Sequence, residues 1–142
     1  MVAIHPIELL GYWSKGYALD MHTISSDYIG DNEFGHPMFE TEYSPIGSLL
    51  KQIKYRSDLS VLDEIANTVV DFLKNQWRIL PGLNFIIPIP PSNIHRSYQP
   101  VIVIANKISE ITKLPVKDKI LIKNKPTPEL KDELRVFDNQ EN

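Results

Sequence analysis

Residues 85–100 read Phe85-Ile86-Ile87-Pro88-Ile89-Pro90-Pro91-Ser92-Asn93-Ile94-His95-Arg96-Ser97-Tyr98-Gln99-Pro100. A short hydrophobic segment runs into a proline-punctuated polar loop, and the loop delivers a helix. In open α/β sheets, ligands sit at the carboxyl ends of strands, where loops meet helix N-termini. Unpaired backbone N–H groups and the helix dipole favour anions there. The loop offers Ser92, Asn93, Ser97, Tyr98 and Gln99 as hydrogen-bonding groups and Arg96 as a fork for phosphate. These six residues are the candidate anion site. The competing reading is a polar surface loop that merely joins a strand to a helix.

Outward from this stretch, the chain takes on an α/β character. Asn84 to Ile89 is a continuous apolar run, as in a strand covered on both faces. Pro100 opens a helix whose core stripe is Val101, Ile104, Ala105, Ile108 and Ile111. Leu114-Pro115 ends it, and Val116 to Lys123 reads as a second strand, completing a right-handed βαβ unit. Towards the N-terminus, Ser60 begins a helix with the stripe Leu62, Ile65, Ala66, Val69 and Leu73, then Trp77, stopped by Pro81-Gly82. Before that, Ser44-Pro45 caps and opens a helix striped by Ile46, Leu49, Leu50 and Ile53. Lys51, Lys54 and Arg56 fall toward its C-terminal end, where positive charge complements the dipole.

The N-terminal third predicts a hairpin through Ser14-Lys15-Gly16, with Tyr17, Leu19 and Met21 on the buried face of a strand. His22 and Thr23 lead into a polar, Gly-rich segment, Ser25 to Thr41. His22 and His36 could share a metal with Asp20, Asp27 or Glu33. Their spacing matches no zinc helix pair, so surface or structural histidines are the better reading and no metal ligand is assigned.

Composition narrows the class. The 142 residues suit one domain, and 42% hydrophobic with 23% charged residues is globular composition rather than disorder. A net charge of −3 argues against a general nucleic-acid binder. Cysteine is absent, which excludes disulfides and Cys-rich zinc sites. No apolar run approaches the roughly 18 residues of a membrane span, and the start has no signal-peptide pattern. The expected location is cytoplasmic. Charge is unevenly placed: residues 1–42 carry seven acids against Lys15, and residues 113–125 carry five lysines against Asp118. Lysines close to an anion loop are suggestive, although lysine also protects edge strands from pairing. A hydrolase is disfavoured by the absence of a Gly-x-Ser-x-Gly elbow or a P-loop.

Several stretches together resemble the ComF-like phosphoribosyltransferases, a branch of the type I phosphoribosyltransferase fold. They are Gly16-Tyr17-Ala18-Leu19-Asp20-Met21-His22-Thr23, Gly35-His36-Pro37, Ile53-Lys54-Tyr55-Arg56, Ile87-Pro88-Ile89-Pro90-Pro91-Ser92 with Arg96-Ser97-Tyr98-Gln99-Pro100, and Lys125-Pro126-Thr127-Pro128 leading to Leu130-Lys131-Asp132. They recur in family order across nearly the whole chain. The resemblance implies a partial phosphoribosyltransferase-like three-layer fold: an N-terminal hairpin, helices and one βαβ unit. It implies an incomplete domain over residues 1–128 and a polar, flexible tail over 129–142. Pro91 to Gln99 would cradle the pyrophosphate of phosphoribosyl pyrophosphate, and the segment after Lys125 would form a mobile hood. Many such proteins also begin with a four-cysteine zinc module, which this sequence lacks.

One departure sets the functional expectation. The family holds the ribose phosphates with two adjacent acids followed closely by a Thr-Gly turn, and no such loop is found here. The chain ends about where the family would enter that strand, so only the N-terminal half is expected. Mg²⁺ and phosphoribosyl pyrophosphate belong to the family, and no cofactor is assigned to this chain. The expectation is a phosphoribosyltransferase-like protein inactive alone, possessing a site for a phosphate-containing small molecule. The alternative is a non-catalytic interaction module on the same scaffold. With its sheet neighbour missing, the segment 84–89 would expose an apolar edge and pair in a homodimer or with a second polypeptide.

Overall fold

The computed structural model describes residues 1–92, 95, 96 and 98–124. The expected hood after Lys125 and the tail 129–142 lie outside the described residues. The architecture is mixed α/β. Two small antiparallel sheets come from the N-terminal third, and three α-helices follow among the described residues.

The predicted hairpin forms, but it is short. Strand β1 (Ile7–Leu9) pairs antiparallel with β2 (Gly16–Ala18), with Ser14-Lys15 in the connection. The Trp13 side chain folds back over this loop, its Nε1–H donating to the Leu9 carbonyl at 3.0 Å. A Cβ at Gly11 or Gly16 would run into the indole, so both positions need glycine. Leu19 and Met21 lie beyond β2 and so are not strand residues as expected. Asp20 there is half-buried, its carboxylate accepting from His5 and from the Met21 N–H.

The polar, Gly-rich segment Ser25 to Thr41, to which the sequence assigns no element, lies in a hairpin. Strand β3 (Thr23–Asp31) pairs with β4 (Pro37–Tyr43), with register breaks at Ile24 and Ile29. Asn32 builds the turn: its Oδ1 accepts the N–H groups of Phe34 and His36 at 2.9 and 3.0 Å. Gly35 takes the left-handed conformation that closes it, at φ 75°. Both faces of this ribbon are largely exposed, so its residues lack the one-sided apolar alternation that announces a strand.

Helix α1 (Pro45–Arg56) begins as predicted. Ser44 is 1% exposed, and its Oγ accepts the Gly47 N–H at 3.0 Å. Helix α2 (Leu62–Asp71) begins two residues after Ser60, which lies instead in a 3₁₀ turn, Leu59–Val61, that leads into it. Asp58 caps that turn, its carboxylate accepting both Ser60 N–H and Ser60 O–H. Nor does α2 run to Pro81-Gly82. It widens into a π-turn over Phe72–Gln76, Arg78 turns left-handed at φ 60°, and Pro81-Gly82 sit in a separate 3₁₀ turn. The widened turn gathers three rings. Tyr17 of β2 lies 5.3 Å from Phe72 and 4.9 Å from Trp77, in edge-to-face contact.

Helix α3 (Pro100–Thr112) also begins where expected and ends at a left-handed Lys113, φ 64°. It packs on α2, and α1 packs on both. Ile53, Ile65, Ala66, Phe72 and Ala105 are the apolar side chains sealed in this core, each 5% exposed or less. Burying each of the larger ones contributes about 1.5–3 kcal/mol. Of the α3 stripe, Val101 and Ile111 are exposed at its two ends.

Two expected strands are corrected. Within 84–89 only Ile86 pairs, through an isolated parallel bridge to Val116 across α3. The bridge has two hydrogen bonds, Ile86 N–H to the Pro115 carbonyl at 2.9 Å and Lys117 N–H to the Ile86 carbonyl at 2.8 Å. Pro88, Pro90 and Pro91 supply no N–H to extend it, and Phe85, Ile87 and Ile89 are exposed rather than covered on both faces. Val116 to Lys123 likewise stops at its first residue, because the chain turns at Asp118-Lys119. Strand, helix and parallel partner are thus present as a topology, with one rung in place of two full strands.

Candidate functional site

The loop after Ile89 sits between the Ile86–Val116 bridge and the start of α3. Gln99 is the α3 N-cap in an extended conformation, φ −96° and ψ 107°, and its carbonyl accepts the Val103 N–H at 3.0 Å. Its side chain makes no capping bond to the first turn. Pro100 at the first helical position is buried.

Of the six predicted residues, four are described. Ser92 is exposed and accepts a hydrogen bond from the Lys123 ammonium at 3.0 Å. Arg96 and Gln99 are half-buried, and Tyr98 is 43% exposed. Asn93 and Ser97 lie outside the described residues. The Lys123 contact spans 31 positions of sequence and brings the lysine-rich segment onto the loop. A second lysine of that segment, Lys117, holds its ammonium 4.7 Å from the centre of the Phe85 ring. Sequence reasoning flagged the charge of this segment but not which lysine reaches the loop, because 31 residues of intervening chain carry no register.

Adjacent acids do occur once before a threonine, at Asp63-Glu64 with Thr68. They form the first turns of α2, where Asp63 pairs with Lys107 at 2.8 Å and Thr68 Oγ1 donates to the Glu64 carbonyl at 2.8 Å. These residues lie within one helix, Thr68 on its buried side, with no glycine and no loop.

No protein-family model, curated protein or solved structure matches the chain.

Of the histidines considered as metal ligands, His22 meets the Tyr43 ring edge-to-face at 5.4 Å, and His36 is an exposed residue of the β3–β4 turn whose backbone N–H donates to Asn32. Asp20 is claimed by His5. Among the described residues, no three His, Asp or Glu side chains converge as a metal site would need. No helix among them is long and apolar enough to cross a membrane.

Two polar groupings were not legible as such in the sequence. In one, the Asp20 side chain, 8% exposed, accepts from the His5 N–H at 3.1 Å, His5 Nδ1 at 3.0 Å and the Met21 N–H at 2.8 Å. The hydrogen bond from His5 above all, with those from the Met21 and His5 backbone, holds its carboxyl below the usual carboxylate range. In the other, His22 lies near Lys51 and Lys54 of α1, and partial burial together with those two ammoniums pushes its imidazole down.

Proposed function

We propose that the chain is a phosphoribosyltransferase-like protein whose Pro91–Gln99 loop binds a phosphate-containing small molecule without transferring the ribosyl group by itself. One observation carries this reading: the Lys123 ammonium on Ser92, in the loop that leads from a parallel-paired segment to a helix N-terminus. Cation, hydroxyl and helix start together supply the charge and donors that pyrophosphate needs. Thr-Gly does not occur among the 142 residues, so an oxocarbenium-like transition state would lack the donors and acids that stabilise it.

Titration with pyrophosphate, followed by amide chemical shifts, tests the binding. Shifts at Ser92, Arg96, Tyr98 and Gln99 are expected, with a dissociation constant on the order of millimolar, about −4 kcal/mol. Shifts confined to Lys113, Lys117 and Lys119 would defeat the loop assignment. Pyrophosphate release from phosphoribosyl pyrophosphate, with Mg²⁺ and a panel of bases, should match the no-protein control. Turnover that Arg96→Ala abolishes would overturn the second half of the reading.

The exposure of Phe85, Ile87 and Ile89, at 41, 38 and 71%, favours a second reading, an interaction module that pairs two copies through this edge. Light scattering at micromolar concentration should then report a dimer that Ile87→Lys dissociates. A monodisperse monomer before substitution refutes it.

A further inference from the structure

Helix α1 carries two stripes. Ile46, Leu50 and Ile53 are spaced four and three apart and turn toward the core. Gly47, Lys51 and Lys54 repeat that spacing one residue on, and their stripe faces the chain at His22. At its N-terminal end the contact is backbone to backbone: a Cβ on Gly47 would collide with the His22 carbonyl. That carbonyl also accepts the Ser44 N–H at 3.2 Å, so His22 is fixed over the first turn of α1. Further along, the Lys51 ammonium stands 4.4 Å from the centre of the Tyr43 ring, which also meets the His22 imidazole.

The Lys51 ammonium is thus held over an aromatic ring that also meets an imidazole, and Lys54, one turn further along the same face of α1, follows it; both residues are half-buried. Among the described residues no carboxylate forms an ion pair with either lysine. Of the acids near in sequence, Asp20 is taken by His5 and Asp58 by Ser60, while Glu40 and Glu42 alternate with Tyr43 along β4 and so project from the opposite face of the ribbon. Like charges gathered on a partly desolvated surface repel one another, and an anion relieves that repulsion.

We infer that His22, Tyr43, Lys51 and Lys54 form an oxyanion site for the phosphoryl group of a small molecule, separate from the loop at residues 91–99. Two ammoniums match a dianionic phosphate in charge, and the imidazole adds a donor. The inference stands whether or not the loop binds pyrophosphate.

Inorganic phosphate is the probe, titrated into the full chain at ionic strength held constant with chloride. The His22 ring and the Lys51 and Lys54 side chains are followed by nuclear magnetic resonance. On binding, the His22 titration midpoint should rise, because the anion offsets the two lysines that, after burial, hold it down. Lys51→Gln and Lys54→Gln should each raise the midpoint of the free protein and weaken phosphate binding by about fivefold, the effect of one partly screened charge. Both variants remove the charge while keeping good helix formers in α1, and far-ultraviolet circular dichroism checks that the helix is intact. A His22 midpoint and lysine resonances that phosphate leaves unchanged overturn the site, even if residues 91–99 shift. Equal responses to acetate and phosphate overturn the assignment to a phosphoryl group.

Discussion

Asp20 grips His5 twice, accepting its backbone N–H and its Nδ1 at 3.1 and 3.0 Å on the same carboxylate oxygen. An ionised carboxylate can only accept, so Nδ1 carries the proton and Nε2 is left as the basic nitrogen on an exposed ring. The pair fastens the N-terminal segment to the turn after β2, above a recess of about 370 Å³ that Thr23, Ser44 and Pro45 also line.

A pH dependence follows from that pair. The folded-state carboxyl titrates below its unfolded value, so its stabilisation is full above the unfolded pKa and is lost as pH falls through the folded one. Asp20→Asn should therefore lower the melting temperature at pH 7, and the gap to wild type should narrow below about pH 4. Thermal melts of both proteins across that range measure it.

Gly47 sets two effects against each other. Alanine is the better helix former by about 1 kcal/mol, yet its methyl would meet the His22 backbone carbonyl, which Ser44 holds in place. Forcing backbone apart costs about 1–3 kcal/mol, so Gly47→Ala should destabilise on balance. Urea unfolding reads the sign directly, and a stabilised variant would contradict the close approach.

Ser44→Ala should cost about 1 kcal/mol. The capping bond to Gly47 disappears, and the buried N–H it served is left without a partner. Ser44→Asp, which can also cap, should recover part of the loss in the same denaturation assay.

Phe72→Ala should be the most severe of these changes, at about 3–5 kcal/mol. Phe72 is 4% exposed and touches both Tyr17 and Trp77. Its removal should open the ring cluster to water and shift the tryptophan emission to the red. Emission that stays unshifted would mean that Trp77 is held by Tyr17 alone.

How legible these features were in the sequence depended on how local their causes are. The starts of α1 and α3 could be read because Ser44-Pro45 and Pro100 act on their own neighbours. The β3–β4 ribbon could not, because both of its faces are exposed and Asn32 builds the turn without a standard two-residue signal. Asn84 to Ile89 read as a covered strand because an apolar run says nothing about what lies beside it. At the candidate sites, the loop and its lysine-rich neighbour were visible as composition. The Lys123–Ser92 contact and the Gly47, Lys51, Lys54 stripe facing His22 depend on how distant segments meet, which spacing within one helix does not reveal.

The lone parallel rung bears on the order in which the chain assembles. Ile86 and Val116 are 30 residues apart, and closing such a loop costs about 3 kcal/mol in chain entropy. Its two hydrogen bonds return only about 1 kcal/mol each. The rung therefore cannot nucleate; it persists because α3, lying between its ends, is already docked on α2. Any change that loosens α3 should release both segments, and with them the Lys123 contact to Ser92, as one cooperative unit, while the β3–β4 ribbon, made of near-neighbour contacts, stays paired.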